Sequence, residues 1–266
     1  MDFCASIHSM EKVLRLYKKE GETPLECMNR FRLDNPEYRE TPMTYAGRLD
    51  PLACGELLVL SGDMVHKKEE YCACDKEYYI EALLGYETDT YDLLGIPQTP
   101  TLTLPFEEGG NFSHFLEKAL SSLISKKEQP YPPYSSRTVE GKPLWQWARE
   151  GKLDEIEIPT REIEIYDIFD IQKKEISEQE ILDRVETIAD LVQGDFRQDE
   201  IKEKWREITG SWVGAVKTDM LVSFRVKCSS GTYIRTLVHE LGKKLGTGAC
   251  IFRLQRTKVI LQDERA

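Results

Sequence analysis

The stretch Met43–Leu60, MTYAGRLDPLACGELLVL, places one carboxylate, Asp50, between a Gly-Arg turn and a proline, with an apolar run directly behind it. Taken alone, Asp-Pro reads as a helix start. Asp is a favoured cap, and Pro suits the first helical position because its missing N–H has no partner there anyway. The competing reading is a turn that presents a lone carboxylate at the rim of a core, as a nucleophile requires. The rest of the chain decides between them.

With 266 residues, 40% hydrophobic and 31% charged, the chain reads as globular and has ample material for a core. No apolar run approaches the length that spans a bilayer. The N-terminal MDFCASIHSMEKVLRLYKKEG has an early acid and no apolar core before a small-residue cleavage site, so it does not read as a signal peptide. A cytoplasmic location is expected. The seven cysteines (4, 27, 54, 72, 74, 228 and 250) are odd in number and form no CxxC, against a disulfide framework or a zinc ribbon. Cys72 and Cys74, one residue apart, read as one face of a strand. His8, His66, His114 and His239 are scattered, and no metal is expected.

A net charge of −11 argues against a nucleic-acid partner, but the distribution of that charge argues otherwise. Glu150–Glu207 holds 19 acids against 9 Lys and Arg, so nearly all the excess lies there. Arg235–Lys258, by contrast, holds six Lys and Arg against one acid, Glu240. A local basic surface is what phosphate contact requires, whatever the overall charge.

Residues 12–17 read as a strand, and Thr23 caps a helix opened by Pro24 with Leu25, Met28 and Phe31 at helical spacing. Residues 77–86 read as a strand leading into the loop ETDTYDLLG, and 114–124 repeat at helical period. EIEIYDIFDI (162–171) and MLVSFRVKC (220–228) alternate as half-buried strands. Between them Ser177 and Glu180 form a capping-box signature for one helix, and Ile201, Trp205 and Ile208 mark a second. This acidic pair, at about 175–212, reads as an insertion into a strand–strand connection. Its expected state is a solvated decoration; otherwise it docks a protein or repels wrong RNAs.

Neither a Walker A loop, a GxGxxG nor a GxSxG elbow is present. What remains is a polar and aromatic set at strand ends: Asp50, Tyr78, Asp89, Tyr233 and Arg235. Singly, each has a plain structural explanation, with Tyr78 a core aromatic and Asp89 a turn residue. Tyr233 and Arg235 alternate on a strand-like run and so face the same way. An Arg flanked by apolar residues needs a carboxylate partner, and Asp50 is a reasonable one.

Six segments in order, YKKEGETP (17–24), AGRLDPLACGELLVL (46–60), KEYYIEALLGYETDTYD (76–92), YPPYSSRTVEGKPLWQWAREG (131–151), SSGTYIRTLVHELGKKLGTGA (229–249) and LQRTKV (254–259), resemble the successive motifs of the TruB-type tRNA pseudouridine synthases. The resemblance covers about 11–171 and 216–260, leaving out the acidic insertion, and it favours the presented carboxylate over the helix cap. It implies pseudouridylation without a cofactor. A uridine is flipped out of its RNA, the glycosidic bond breaks, the uracil turns, and C5 rejoins the ribose. By the same resemblance Asp50 is the catalytic carboxylate, Tyr78 stacks on the uracil and assists proton transfer, and Arg235 pairs with Asp50. Tyr233 and Leu254 match residues lining the base pocket. Lys18, Gly21 and Thr23 match the N-terminal turn that supports the cleft, and Asp89 matches its TDT loop.

Three departures stand out. Tyr45 occupies a position where the family usually has histidine, leaving an aromatic ring able to stack on RNA bases. Lys19 replaces the usual proline. Only six residues follow Ile260, so a C-terminal RNA-binding domain is not expected. The expectation is a single α/β (α+β) domain, a mixed, mostly antiparallel sheet with flanking helices, a cleft across it and the helical insertion. The expected protein is monomeric and acts on the T-loop uridine of tRNA, position 55. Two alternatives remain: the same reaction on another RNA, and an RNA-binding or RNA-folding protein without turnover.

Overall fold

The computed structural model describes residues 12–98, 112–210 and 219–264. The N-terminal segment through residue 11, with Cys4 and His8, lies outside the described residues, as do 211–212 at the end of the expected insertion. Among the described residues no helix is long and apolar enough to cross a membrane.

The strands of the main sheet are β1 (Val13–Lys18), β2 (Met43–Ala46), β3 (Cys54–Ser61), β4 (Asp75–Leu84), β9 (Ile165–Ile176), β10 (Asp219–Cys228) and β11 (Ala249–Ile260). Their order is β1-β3-β11-β4-β10-β9, with β2 also paired to β3. Only the short β3–β11 contact is parallel, so the sheet is mixed and mostly antiparallel, as expected. Two small ribbons stand apart: β5 (Glu128–Pro130) with β8 (Thr160–Glu162), and β6 (Thr138–Val139) with β7 (Lys142–Pro143).

The helices are α1 (Pro24–Asp34), α2 (Lys68–Cys72), α3 (Phe112–Ile124), α4 (Leu144–Arg149), α5 (Glu178–Leu191), α6 (Gln198–Gly210) and α7 (Ile234–Leu245). Both expected capping boxes form, Thr23 with Glu26 and Ser177 with Glu180. Each satisfies two backbone N–H groups that helix geometry leaves without partners. On α1, however, Leu25 faces solvent while Cys27 and Met28 are buried.

Four sequence readings need correction. Tyr233 and Arg235 do not lie on a strand. β10 ends at Cys228, the chain turns through Gly231, and Ile234, Leu237, Val238, Leu241 and Leu245 bury one helical stripe of α7. Tyr233 takes the N-cap position, and Arg235 sits in the first turn. Cys72 and Cys74 are likewise not strand neighbours, because Cys72 ends α2 and Cys74 precedes β4. The run 162–171 is divided: β8 pairs with β5 up to Glu162, then β9 pairs with β10 from Ile165. A register shift opposite Ser223 and Arg225, with Asp170 at φ +55°, then breaks the alternation and leaves Ile171 exposed.

The fourth correction concerns the insertion. α5 and α6 do join β9 to β10, but they are not a solvated decoration. Ile181, Val185, Ile188, Ala189, Val192, Ile201 and Trp205 are buried in the main core. Trp205 has no exposed surface, lies 5.4 Å from the Tyr86 ring, and donates its indole N–H to Gly95 O at 3.2 Å. The acids occupy the outer faces and the apolar stripe is spent inward. This is the division an amphipathic helix makes when a core is available.

Candidate active site

The Asp50 turn is built from both sides. Gly47 carries φ +84°, a conformation glycine adopts without steric cost, and buried Leu49, Leu52 and Ala53 anchor the chain on either side of Asp50. The Ala53 N–H donates to Asp50 O at 3.0 Å, and the chain then enters β3, not a helix. Asp50 therefore caps nothing. Its turn is clasped by Arg256, whose guanidinium donates to the carbonyls of Glu56 (2.7 Å), Gly47 (3.2 Å) and Arg48 (3.4 Å). On the opposite side the Gly21 N–H donates to Pro51 O at 2.9 Å. Lys18, fully buried, donates its ammonium to Glu22 O (2.6 Å), Lys19 O (3.0 Å) and Pro51 O (3.5 Å). Burial pulls its pKa down to about 8, against the pull of nearby Glu22.

Arg235 organises the centre. Its Nε donates to Asp50 Oδ2 at 2.7 Å, its Nη1 to Thr90 O at 2.8 Å, and its Nη2 to Tyr134 O at 3.1 Å. One planar fork thus fixes the carboxylate and two flanking loops together. Arg235 is 5% exposed at its side chain while Asp50 is 33% exposed, so the arginine is a buried support and the carboxylate an accessible group. A second acid, Asp92, lies 3.9 Å from Arg235 Nε. Its carboxylate accepts from Thr90 Oγ1 (2.7 Å) and Leu94 N (3.0 Å). Burial nevertheless pushes its pKa up to about 6, with Arg235 opposing the rise.

Around Asp50 opens a cleft with two lobes. The first, about 620 Å³, is lined by Tyr45, Tyr78, Tyr233 and Leu254 together with Asp50 and Arg235. Tyr78 is a buried residue of β4 whose phenol is pushed up by burial and lowered in part by Arg256. Tyr233 is held at both ends of its backbone by Gln129, which accepts from its N–H at 2.8 Å and donates to its carbonyl at 3.1 Å. Tyr45 projects from β2 with the Lys68 ammonium 5.2 Å from its ring. Arg48, Lys68, Lys76, Arg161 and Arg256 add to a lining in which, among the described residues, Asp50 is the sole acid. An acidic chain therefore presents a cationic cleft, suited to a phosphate-bearing substrate.

The expected basic surface at Arg235–Lys258 forms in part, with Lys243 and Lys244 exposed on α7. Arg235 and Arg256 turn inward to the site, while Arg253 and Lys258 pair with Glu81 and Glu264. Beside Arg235 and Arg256, the cations of the cleft come from scattered turns and strands and from the start of α2.

The second lobe, about 530 Å³, shares Tyr45, Arg48, Asp50 and Tyr134 with the first. Thr23 lines it, as do Trp145 of α4 and Asp195, Phe196 and Arg197 from the turn between α5 and α6. Lys18 and Asp89 line neither lobe. Lys18 supports the Asp50 turn from behind. Asp89 instead accepts from Arg197 Nη1 at 2.7 Å and from Ile96 N at 2.8 Å.

Sequence reading missed Asp92, Lys76, Tyr134, Arg161, Arg256 and the α5–α6 turn. Asp92, three residues beyond Asp89, and Arg256, which shares β11 with Arg253 and Lys258, carry no local signal that sets them apart. Nothing in the sequence signalled that the insertion reaches the cleft. Among the described residues no group of three or more His, Cys, Asp or Glu converges as a metal site would require.

A mixed sheet crossed by a cation-lined cleft, with one carboxylate held at its rim by a buried arginine, defines a pseudouridine-synthase-type fold. The chain belongs to the TruB family: the profile of the TruB family pseudouridylate synthase (N terminal domain) matches residues 38–190. Similar curated proteins include the tRNA pseudouridine synthase B of Nitratidesulfovibrio vulgaris, 29% identical over 92% of this chain and 62% of that protein. Those of Thermotoga maritima (27%, 93% and 62%) and Thermosipho melanesiensis (30%, 95% and 65%) are comparable. The chain thus spans about three fifths of the length of the relatives it matches. Among solved structures, one described as a Cbf5-Nop10-Gar1 complex matches with a TM-score of 0.53 at 17% identity, over 94% of this chain and 49% of that one. That likeness concerns the fold.

Proposed function

We propose that this protein converts uridine to pseudouridine in tRNA, acting on the T-loop uridine at position 55 with Asp50 as catalytic carboxylate. The observation that carries the reading is the Arg235–Asp50 pair, an accessible carboxylate on a buried arginine, at the mouth of a lobe floored by Tyr78. The isomerisation is balanced within one nucleotide: the C1′–N1 bond breaks, a C1′–C5 bond forms, C5 gives up a proton and N1 gains one. Asp50 acts on the ribose as nucleophile or as base, and Arg235 holds it aimed through the Nε–Oδ2 hydrogen bond. Tyr78 stacks on the detached uracil and assists the proton transfer. Tyr233 and Leu254 line the base pocket, and Tyr45 stacks against RNA. Lys18, Thr23 and Asp89 hold the surrounding turns.

The cations of the first lobe supply the phosphate contacts, so affinity for RNA should fall steeply with salt. The chain acts as one catalytic unit, a monomer in the cytoplasm needing no metal or cofactor. The acidic outer faces of α5 and α6 remain available to a protein partner.

The test is an unmodified tRNA transcript incubated with the pure protein, with pseudouridine mapped by carbodiimide labelling and primer extension. A single new stop in the T loop supports the reading. Binding without any stop refutes it for tRNA and favours another RNA, for which the same mapping on ribosomal and messenger transcripts decides.

A further inference from the structure

The turn between α5 and α6 does more than fill space beside the cleft. Arg197 holds φ +61°, a left-handed conformation that a side-chain-bearing residue adopts at a cost and that persists only where its surroundings impose it. Its guanidinium donates to Asp89 Oδ2 at 2.7 Å and lies 4.9 Å over the Tyr134 ring. The same Asp89 carboxylate accepts from Ile96 N, and burial together with its charge pushes the Tyr134 phenol up to about 12. Arg197 therefore joins the 88–96 loop to the Tyr134 segment. Those two segments supply the carbonyls, Thr90 O and Tyr134 O, that fix Arg235 behind Asp50.

Two further contacts from the insertion converge on the same region. Arg184 forms a two-point ion pair with Glu20 at 2.7 and 2.8 Å, beside the Gly21 that donates to Pro51 O. Trp205 donates to Gly95 O, inside the 88–96 loop. The insertion thus touches the N-terminal turn and the 88–96 loop, and through Arg197 the Tyr134 segment as well.

We infer that the α5–α6 insertion is a strut for the catalytic centre, and that Arg197 is a positioning residue acting through Asp89 and Tyr134 on the Arg235–Asp50 pair. This rests on the assignment of Asp50 as the catalytic group. Arg197 touches no reacting atom. It sets where Thr90 O and Tyr134 O stand, and hence the angle at which Arg235 presents the carboxylate. Small misplacements of a reacting group are costly to rate while leaving distant binding contacts intact.

The experiment measures single-turnover rate, RNA affinity and melting temperature for Arg197→Ala, Arg197→Lys, Asp89→Asn and Arg197→Ala/Asp89→Asn. Arg197→Ala should slow the saturated single-turnover rate roughly 10- to 100-fold with the Kd for RNA changed by less than about twofold. Arg197→Lys should restore part of the rate, and the double variant should be no slower than the worse single one. Where Arg197→Ala does not fold, Arg197→Gln replaces it. A rate within about twofold of the parent overturns the strut, as does additivity of the two changes. A loss confined to Kd overturns it too, because Arg197 would then be gripping RNA. Hydrogen exchange keeps this apart from the assignment of Asp50. Arg197→Ala should speed exchange of the Ile96 amide, which Asp89 protects, whether or not the protein modifies RNA. Unchanged exchange there refutes the strut on its own. A parent protein that binds tRNA without modifying any RNA refutes the assignment of Asp50 instead.

Discussion

Replacing Arg235 with methionine should produce a stability defect that acid relieves. The substitution keeps the length of the side chain and removes the fork that serves Asp50, Thr90 O and Tyr134 O. Asp50 is accessible enough to recover solvation, whereas Asp92 is not, with 7% of its side chain exposed. Breaking a buried ion pair from one side costs about 3–5 kcal/mol, chiefly because the remaining charge is stranded. Asp92 already titrates at about 6 with Arg235 beside it. Without that cation its folded pKa rises further above the unfolded value. A carboxyl whose folded pKa is raised binds more protons folded than unfolded, so the variant regains stability as pH falls. Each unit of additional rise is worth about 1.4 kcal/mol, lost at neutral pH and recovered on acidification. Urea unfolding followed by tryptophan fluorescence at pH 8 and pH 6 measures the difference between parent and variant. It should shrink by about 1 kcal/mol or more at pH 6, and Asp92→Asn in the Arg235→Met background should remove most of the pH dependence. A difference that is constant with pH, or below about 1 kcal/mol throughout, would refute the claim that Arg235 neutralises a buried acid.

His239 should contribute an acid-sensitive component of stability. Burial lowers its pKa to about 4, with nearby Lys243 adding to the effect, and it stacks 3.8 Å from the Tyr91 ring. The unfolded chain therefore binds the extra proton between about pH 6.5 and 4. On that account the parent loses about 2 kcal/mol relative to His239→Phe between pH 7 and pH 5, and parallel stability curves for the two would rule it out. Gly21→Ala should impair both folding and turnover. A Cβ there would meet Leu191 Cβ at 2.6 Å in a backbone at φ +81°, and the Gly21 N–H holds Pro51 O. A melting temperature and single-turnover rate equal to the parent's would count against this role for the N-terminal turn. Trp205→Ala should cost about 3–5 kcal/mol in urea unfolding, as a fully buried aromatic with a satisfied N–H; a loss under about 1 kcal/mol would mean that the insertion is not part of the core.

The sequence was most legible where one local pattern determines one local structure. The capping boxes at Thr23 and Ser177 and the alternation in 220–228 each depend on neighbours a few residues apart, and each formed as expected. The run after Cys228 misled because SSGTYIRT carries β-branched and aromatic residues, while the decisive stripe of α7 begins only at Ile234 and extends to Leu245. The bulge at Asp170 was invisible because it is set by the register of β9 against β10, a relation between segments far apart in sequence. The same holds for the centre. Arg235 was expected beside Asp50 and lies there, but Asp92 and the Arg256 clasp depend on tertiary contacts with no local signature. The insertion was misjudged for a related reason. Its net acidity describes its outer faces, whereas its position was decided by an inner stripe that had a core to bury against.

The central claim is that Asp50 performs chemistry and does not merely hold the turn. The measurement that tests it most directly compares the parent with Asp50→Asn in single-turnover pseudouridine formation on an unmodified tRNA transcript. RNA binding and melting temperature are followed alongside. The substitution keeps side-chain volume and removes only charge. The account predicts no detectable pseudouridine from Asp50→Asn, a fold that still melts cooperatively and most RNA affinity retained. Pseudouridine formed by Asp50→Asn at the parent's rate would contradict it.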